Sequence, residues 1–154
     1  MQKNLSKTDL AWAAGFIDGE GYIGIRPVKS SPDTKGNPHL QLRIIVSNTR
    51  PLAILKLVSM FGGDSWIRPP AKAGHRTQYV WQVFSRAAED VLKEIQPYLV
   101  IKSEQADTAL SYRATYPSGE YPLTDDLVAH RGRLMTHMNV LNNPPMDSSG
   151  NLLD

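Results

Sequence analysis

The sequence contains no cysteine, so disulfide bonds and thiolate-ligated metal sites are excluded. It also lacks an apolar run long enough to span a bilayer, and its first residues lack the apolar segment of a signal peptide. We therefore expect no membrane association. The same absences predict a cytoplasmic protein, or one that stays in the organelle where it is made.

Acidic residues are scarce in one long stretch of the chain. Residues 22–82 hold nine Lys/Arg and two acids, a net charge of +7, whereas the remaining residues carry −5. This asymmetry predicts a polyanion-binding face, and a solvated basic surface is the alternative. Because five of these nine cations are arginines, and three of the five lie on predicted strands, the pattern favours the binding face. With 154 residues, of which 41% are hydrophobic, the chain is long enough for one domain with a buried core.

The segment Trp12-Ala-Ala-Gly-Phe-Ile-Asp-Gly-Glu-Gly21 is predicted to end a helix and to present a carboxylate. Ser6 and Asp9 have the spacing of a capping box, which indicates that the helix begins at about Lys7. The pattern predicts that this helix continues to about Asp18.

Small residues recur every four positions along this helix, at Ala11, Gly15 and Gly19, and therefore share one face. A face of small residues allows a second backbone to approach closely. Gly19 and Gly21 also permit the sharp exit from the helix that places Glu20 in a glycine-flanked turn.

Beyond the first helix, the hydrophobic periodicity predicts strands and helices in a regular order. The strands span residues 22–28, 39–47, 65–68 and 77–84. A helix with Pro51 in its first turn and Asn48 or Thr49 as its N-cap precedes the third strand. Further helices span 85–96, 103–114 and 124–142, and Ser85 and Thr124 are the predicted caps of the first and last of these. The order αββαββα plus two C-terminal helices predicts an α+β fold, in which helices cover one face of an antiparallel sheet. We expect one domain over residues 1–142 and a flexible tail over residues 143–154.

The segment Ala13-Ala-Gly-Phe-Ile-Asp-Gly-Glu-Gly21 resembles the LAGLIDADG motif of homing endonucleases from end to end. Ala13 stands at the usual leucine, and Glu20 stands at an acidic position where the family accepts either acid. The family has the same order of elements around a curved sheet, so the resemblance covers nearly all of the chain. An ordinary small-residue helix that ends in a glycine turn is the alternative interpretation.

The resemblance implies a site-specific endonuclease that makes a double-strand break in a long, near-palindromic DNA target by metal-dependent phosphodiester hydrolysis. The Glu20 carboxylate and the backbone carbonyl of Gly19 would bind Mg²⁺ or another divalent cation such as Mn²⁺. Family members with one motif dimerise by packing their motif helices together. A homodimer is therefore expected, with Ala11, Gly15 and Gly19 at its interface.

Two further catalytic residues follow from the resemblance. Residues 95–105 look like a family segment that ends in a lysine and a downstream glutamine, so Lys102 would be the active-site lysine. A surface lysine at a helix start is the alternative. Asn48 aligns with a family position, often glutamine, that orients water, and it could equally be only a helix cap.

The sheet face away from the helices is predicted to contact double-stranded DNA through the major groove. Arginine pairs with guanine and glutamine with adenine, and the predicted base-reading residues are Arg26, His39, Gln41, Arg43, Trp66, Arg68, Arg76, Gln78 and Gln82. Lys29, Lys35 and Lys72 lie in hairpin loops, where phosphate contacts are expected. A merely polar solvent face is the alternative, but glutamate should then be as frequent there as arginine and glutamine, and this set contains none.

Two other functions remain open from sequence alone. One is a non-catalytic DNA- or RNA-binding protein on the same scaffold, either a transcription regulator or an intron maturase with intron RNA as its partner. The other is an interaction module whose sheet face binds an acidic protein. Such non-catalytic relatives usually lose the acidic residue, so the presence of both Glu20 and Lys102 favours the endonuclease.

Overall fold

The structure, a computed structural model, describes residues 4–32, 36–117 and 122–153. Its elements in chain order are α1 (Lys7–Glu20), β1 (Gly21–Pro32), β2 (Pro38–Asn48), α2 (Pro51–Phe61), β3 (Asp64–Arg68), β4 (Gln78–Phe84), α3 (Ser85–Ile95), a 3₁₀ turn at Gln96–Tyr98, α4 (Ser103–Ala114) and α5 (Asp125–Asn142). This order is the predicted one. Two expected phosphate-binding positions, Lys35 and the side chain of Lys29, lie outside the described residues.

The four strands form one antiparallel sheet in the order β1-β2-β4-β3. The predicted alternation of β2 is confirmed, because Leu42, Ile44 and Val46 are buried and the residues between them are not. The first strand extends past its predicted end at residue 28, so Lys29 lies on β1 and not in the predicted hairpin loop. Pro27 does not stop it, because β1 is an edge strand on which a missing N–H group can face solvent.

The helices cover one face of the sheet and enclose the hydrophobic core. From α1 the core receives Ala13, Ala14 and Ile17, and the other helices and the strands contribute further buried side chains. Trp81 on β4 is fully buried, and its Nε1–H group donates to the backbone carbonyl of Gly62 over 2.7 Å. Each buried isoleucine or leucine contributes ~2 kcal/mol to this packing. The opposite face of the sheet is left without helices, as predicted.

The capping predictions are confirmed at α1 and α5 and are wrong at α2 and at α3, where Phe84 and not Ser85 is the N-cap. The Ser6 hydroxyl accepts from the Asp9 N–H group over 3.1 Å, and Thr124 caps α5 by accepting from Leu127. At α2 the N-cap is Arg50, without a side-chain cap, rather than Asn48 or Thr49. Pro51 occupies the first helical position, where its fixed φ angle is compatible with a helix and the absent N–H group is no loss.

The last helix is attached to the edge of the sheet. The Asn142 side chain donates to the backbone carbonyl of Ile23 on β1 over 2.9 Å. Beyond it, residues 143–153 contain a short bridge between Met146 and Leu152. The domain boundary at residue 142 stays a prediction. None of the described helices has the length and apolar character needed to cross a membrane.

Candidate active site and nucleic-acid interface

The last turn of α1 exposes Glu20 and Gly19 together, and β1 begins at the next residue, Gly21. The helix therefore continues two residues past its predicted end at about Asp18. The last helical turn closes with a hydrogen bond from the Gly21 N–H group to the Ile17 carbonyl. A Cβ atom at Gly21 would lie 2.7 Å from that carbonyl oxygen, so only glycine fits there. Helix C-terminal carbonyls lack intrahelical partners and carry partial negative charge. The turn therefore combines a carboxylate with carbonyl oxygens, which are the donors that hard cations prefer.

Lys102 is bound to the end of the same helix. Its Nζ group donates to the backbone carbonyl of Asp18 over 2.5 Å, two residues before Glu20. Asp18 is buried, and its two carboxylate oxygens accept from the N–H groups of Val100 and Lys102 over 2.8 and 2.9 Å. Lys102 is therefore a half-buried, hydrogen-bonded residue beside the acidic turn and not a free surface lysine. Its catalytic role stays a prediction.

Asn48 lies at the end of the sheet where β1 begins. It is two residues beyond Val46, which pairs with Gly21 at the start of β1. The Asn48 Oδ1 atom accepts from the backbone N–H group of Arg50 over 2.8 Å, which orients the side chain as β2 ends. The structure thus brings all three predicted catalytic residues, Glu20, Asn48 and Lys102, to the same end of the sheet, where β1 begins and β2 ends.

At the end of α1, one copy of this chain offers Glu20 as an exposed carboxylate, whereas the nearby Asp18 is buried. Among the described residues, no three His, Cys, Asp or Glu side chains lie close enough to form a metal-binding group. Mg²⁺ typically binds through one or two carboxylates and retains several waters. Glu20 and the Gly19 carbonyl are therefore chemically suited to Mg²⁺, but they amount to part of a site rather than a closed one.

The face of α1 formed by Ala11, Gly15 and Gly19, here called the small-residue face, is exposed. A Cβ atom at Gly15 or Gly19 would have no neighbour within 4 Å. Packing within a single chain therefore does not require glycine at either position, although a glycine inside a helix costs ~1 kcal/mol relative to alanine. These glycines have no structural explanation within one chain.

Helix α2 lies beside α1 and exposes two large apolar side chains. Lys56 on α2 forms an ion pair with Asp9 over 3.2 Å, and its Nζ atom is 4.5 Å from the centroid of the Trp12 ring. On the same helix, Leu52 is 80% exposed and Leu55 is 58% exposed. Exposed large apolar side chains that lie near each other are typical of a protein contact surface.

The open face of the sheet carries the predicted DNA-binding side chains. The strand register places Arg26 opposite Gln41 and Arg68 opposite Gln78. The Arg68 guanidinium donates to the Gln78 side-chain oxygen over 3.5 Å. Eight predicted residues share this face: Arg26, His39, Gln41, Arg43, Trp66, Arg68, Gln78 and Gln82. Arg76 and Lys72 are exposed in the loop between β3 and β4.

Sequence reasoning missed several features of this face. Asp64, which lies just before the predicted start of β3, pairs with Gln82 and brings an acid to the face. The alternation of strand 77–84 predicts that Val80 faces outward with Gln78 and Gln82. Val80 does lie on this face, but it is fully buried between its strand neighbours Ser47 and Trp66. Counting in twos from Gln82 would also have placed Phe84 here, and this aromatic ring contacts Arg43.

No protein-family model matches the sequence, and no curated protein matches it. Solved structures do match. The homing endonuclease I-CvuI, in complex with an I-CreI target, superposes with a TM-score of 0.71 at 19% identity, over 92% of this chain and 87% of that chain. The archaeal intron-encoded homing endonuclease I-Vdi141I, complexed with DNA, superposes with a TM-score of 0.71 at 16% identity, over 92% of this chain and 88% of that chain.

A third match relates this chain to a longer protein. The I-LtrWI LAGLIDADG homing endonuclease, bound to target DNA, gives a TM-score of 0.65 at 19% identity over 92% of this chain and 47% of that chain. This chain thus corresponds to about half the length of that enzyme. The fold of this protein is that of the LAGLIDADG homing endonucleases.

Proposed function

We propose that this chain is a homodimeric, divalent-metal-dependent, site-specific DNA endonuclease of the homing type. The observation that carries the proposal is that an exposed carboxylate, Glu20, and a hydrogen-bonded ammonium group, Lys102, both lie at one end of a basic sheet face. A nuclease needs both kinds of group where the scissile phosphate lies. The shared fold with enzymes solved in complex with DNA targets supports the same function.

The open sheet face supports DNA as the substrate. A two-stranded or larger antiparallel ribbon fits the major groove, where arginine and glutamine recognise guanine and adenine. This face presents two arginine–glutamine pairs on adjacent strands, Arg26 with Gln41 and Arg68 with Gln78. Lys72, in the adjoining loop, would contact phosphates, which fix the register of a protein on DNA. Arg76, predicted as a base reader, lies in the same loop and would contact the DNA from there.

The small-residue face supports a homodimer. Two copies of α1 packed along Ala11, Gly15 and Gly19 would form an isologous contact about a two-fold axis. That contact explains glycines that a single chain does not need, and it brings two copies of Glu20 together. The half-length match to I-LtrWI is consistent with two copies of this fold forming one complete enzyme. A dimer with two-fold symmetry implies a near-palindromic target.

Each residue of the candidate active site would have its own role in phosphodiester hydrolysis. Glu20 and the carbonyl of Gly19 would bind Mg²⁺, and the metal would supply activation of water and neutralisation of charge at the scissile phosphate. The cationic Lys102 would stabilise phosphate charge from the position that Asp18 gives it. Asn48 accepts from Arg50 through Oδ1, so its Nδ2 group remains to hydrogen-bond the attacking water. Structures of I-CvuI with Mg and with Ca support a divalent cation.

Cleavage of a randomised duplex library, with Mg²⁺ and separately with Ca²⁺, tests the proposal. We expect recovery of near-palindromic sites that are cut on both strands with Mg²⁺ and only bound with Ca²⁺. Enrichment by binding without cutting under Mg²⁺ would contradict the endonuclease and favour a transcription regulator or maturase. Failure to enrich any duplex, together with binding to structured intron RNA, would favour the maturase alone.

A further inference from the structure

The small-residue face of α1 offers little apolar area by itself. Its three residues carry side chains of at most one carbon atom. A stable protein–protein interface buries about 1,600 Å² in total, and large apolar and aromatic side chains usually fill its centre. A second copy that packs on this face would therefore also have to cover the surfaces beside it.

Different elements border the two sides of this face. At about 100° per residue, Trp12 lies about 20° beyond one margin of the face and Asp18 about 20° beyond the other. On the Trp12 side lies α2, whose Lys56 Nζ atom is 4.5 Å from the centroid of the Trp12 ring. On the Asp18 side lies the segment of residues 99–102, in which the Val100 N–H group donates to the Asp18 carboxylate over 2.8 Å. The small-residue face thus lies between α2 and the 99–102 segment.

Each of these two borders exposes a pair of large apolar side chains. On α2, Leu52 and Leu55 are both more than half exposed, and Leu52 lies one turn before Lys56, on the side of the helix that faces α1. In the 99–102 segment, Val100 is 79% exposed and Ile101 is 70% exposed. Isolated apolar side chains are common on protein surfaces, whereas two pairs that border one exposed helix face indicate a contact surface.

The direction of the two-fold axis decides which borders meet in a dimer. Helix α1 has 14 residues and is therefore about 21 Å long. Two copies of Glu20 come together only if the two α1 helices run parallel, with the axis along them, because antiparallel packing would put the two carboxylates at opposite ends. A rotation of 180° about such an axis turns the Trp12 side of one helix toward the Asp18 side of the other. Each α2 then faces the 99–102 segment of the second protomer.

We propose that Leu52 and Leu55 of each protomer pack against Val100 and Ile101 of the other, so that two reciprocal apolar contacts border the paired α1 helices. This inference rests on the proposed function, which supplies the two-fold axis. The second copy is the occupant that fits, because the same rotation that joins the small-residue faces also brings these apolar pairs together and adds the area that a stable dimer needs.

The contact also connects the dimer interface to the active site. The backbone N–H groups of Val100 and Lys102 both donate to the Asp18 carboxylate. Leucines of the other protomer that cover Val100 would therefore restrain the segment that carries Lys102. Each protomer would help to hold the active-site lysine of the other beside Glu20.

Sedimentation of the full-length protein over a range of concentrations tests the contact. Leu52→Lys and Ile101→Glu each place a charge in both copies of the contact, and a charge buried without a partner is unfavourable. We expect the dimer dissociation constant of each variant to rise at least ~10-fold, and cleavage at limiting protein to fall with it. Val140→Lys, at an exposed apolar position on α5, should leave the dissociation constant unchanged.

A mixture of the two variants tests the reciprocal pairing. In the mixed dimer, one contact joins the introduced ammonium and carboxylate groups, and the other contact keeps the original Leu52 and Ile101. Each homodimer instead has two damaged contacts. We therefore expect mixing to restore tight association and cleavage, with one subunit of each kind in the dimer. If identical borders met each other instead, the mixed dimer would contain no opposite-charge pair and mixing would restore nothing.

The possible failures point to different conclusions. Wild-type dissociation constants in both Leu52→Lys and Ile101→Glu would overturn the contact, and weakening of both without recovery on mixing would overturn the reciprocal pairing. A wild-type protein that cuts its target as a monomer would contradict the homodimer of the proposed function itself. Both side chains are exposed in a single chain, so the substitutions should leave the protomer folded. Circular dichroism at high dilution checks this, and Leu55→Gln with Val100→Thr provides an uncharged second pair for which the same rise is expected.

Discussion

Lys102 donates two hydrogen bonds to Asp18, one from its backbone N–H group to the carboxylate and one from its Nζ group to the backbone carbonyl. The two residues are 84 positions apart in sequence. The second carboxylate oxygen of Asp18 accepts from the Val100 N–H group. Asp18 thus connects the end of α1 to the segment before α4, and this connection places an ammonium group beside the turn that carries Glu20.

Asp18→Asn should loosen this connection. Asparagine offers one acceptor oxygen, and its amide group would face an N–H group that then has no acceptor. We expect a stability loss of ~1–3 kcal/mol in urea denaturation, since a buried donor is left unpaired. Cleavage should fall more than DNA binding, because Lys102 moves relative to Glu20. Asp90→Asn, exposed on α3, is the matched control. Wild-type stability and cleavage in Asp18→Asn would show that the connection is dispensable.

Lys102→Met should reduce cleavage with little effect on the binding of the target. Methionine keeps much of the side-chain bulk but cannot donate to the Asp18 carbonyl or stabilise phosphate charge. We expect single-turnover cleavage to slow by ~10²-fold, the size typical of one lost electrostatic contact. Lys93→Met, at an exposed position on α3, provides the control. Equal losses in binding and cleavage would instead assign Lys102 to substrate affinity.

Glu20→Gln should abolish cleavage and leave specific binding. The amide is isosteric but uncharged, so it no longer contributes the anionic ligand that Mg²⁺ requires. Loss of several kcal/mol of transition-state stabilisation corresponds to ~10³-fold or more in rate. Single-turnover cleavage and binding titrations on the same duplex check both parts. Cutting by the variant at the wild-type rate would remove Glu20 from the mechanism.

Gly15→Ala should distinguish a dimer contact from an exposed helix face. In a single chain the new Cβ atom meets nothing, so the helix should gain up to ~1 kcal/mol. In the proposed dimer the same atom collides with the partner helix, and the dimer dissociation constant should rise at least ~10-fold. Gly132→Ala, inside α5 and also with nothing within 4 Å, should bring the helix gain alone. Sedimentation that shows unaltered dimers in Gly15→Ala would exclude this packing.

Glu89 should make stability depend on acid pH. Its carboxylate accepts from Lys93 over 2.9 Å and from Arg113 over 3.0 Å, and these contacts lower the pKa of Glu89 below its ordinary 4.5. A lowered native pKa means that the ionised form favours folding. The contribution is therefore complete at neutral pH and is lost as pH falls from about 5 through the native pKa.

Glu89→Gln should remove this contribution at neutral pH and flatten the dependence of unfolding free energy on pH between about 5 and 3. Because the three side chains are partly exposed, we expect a loss of at most ~1 kcal/mol at pH 7. Thermal denaturation across that pH range provides the measurement, with Glu94→Gln as the control. Parallel pH curves for wild type and Glu89→Gln would show that these ion pairs add nothing to stability.

Local patterns were sufficient to predict the elements of this fold and their faces. The Ser6 cap depends on residues three positions apart, and the alternation of Leu42, Ile44 and Val46 depends on the two-residue period of a strand. The sequence also predicts an exposed Glu20 at the end of the first helix, although the helix continues through Gly19 and Glu20 instead of ending at about Asp18. Each of these signals lies within a few residues, so it can be read without knowing which segments meet in space. The same local reasoning correctly placed arginine and glutamine on the open sheet face.

Tertiary structure alone decided which distant residues act on one another. No local pattern pairs Asp18 with Lys102, since chain folding brings the loop before α4 to the end of α1. Asn48 resembles a helix cap in sequence, yet the backbone path makes Arg50 the N-cap. Arg43 reads as one arginine among several, and only strand register places it between Gly24 and Phe84 with a buried, unpaired nitrogen. Side-chain direction is a local property of the chain, whereas burial and partners depend on the neighbours that the completed sheet supplies.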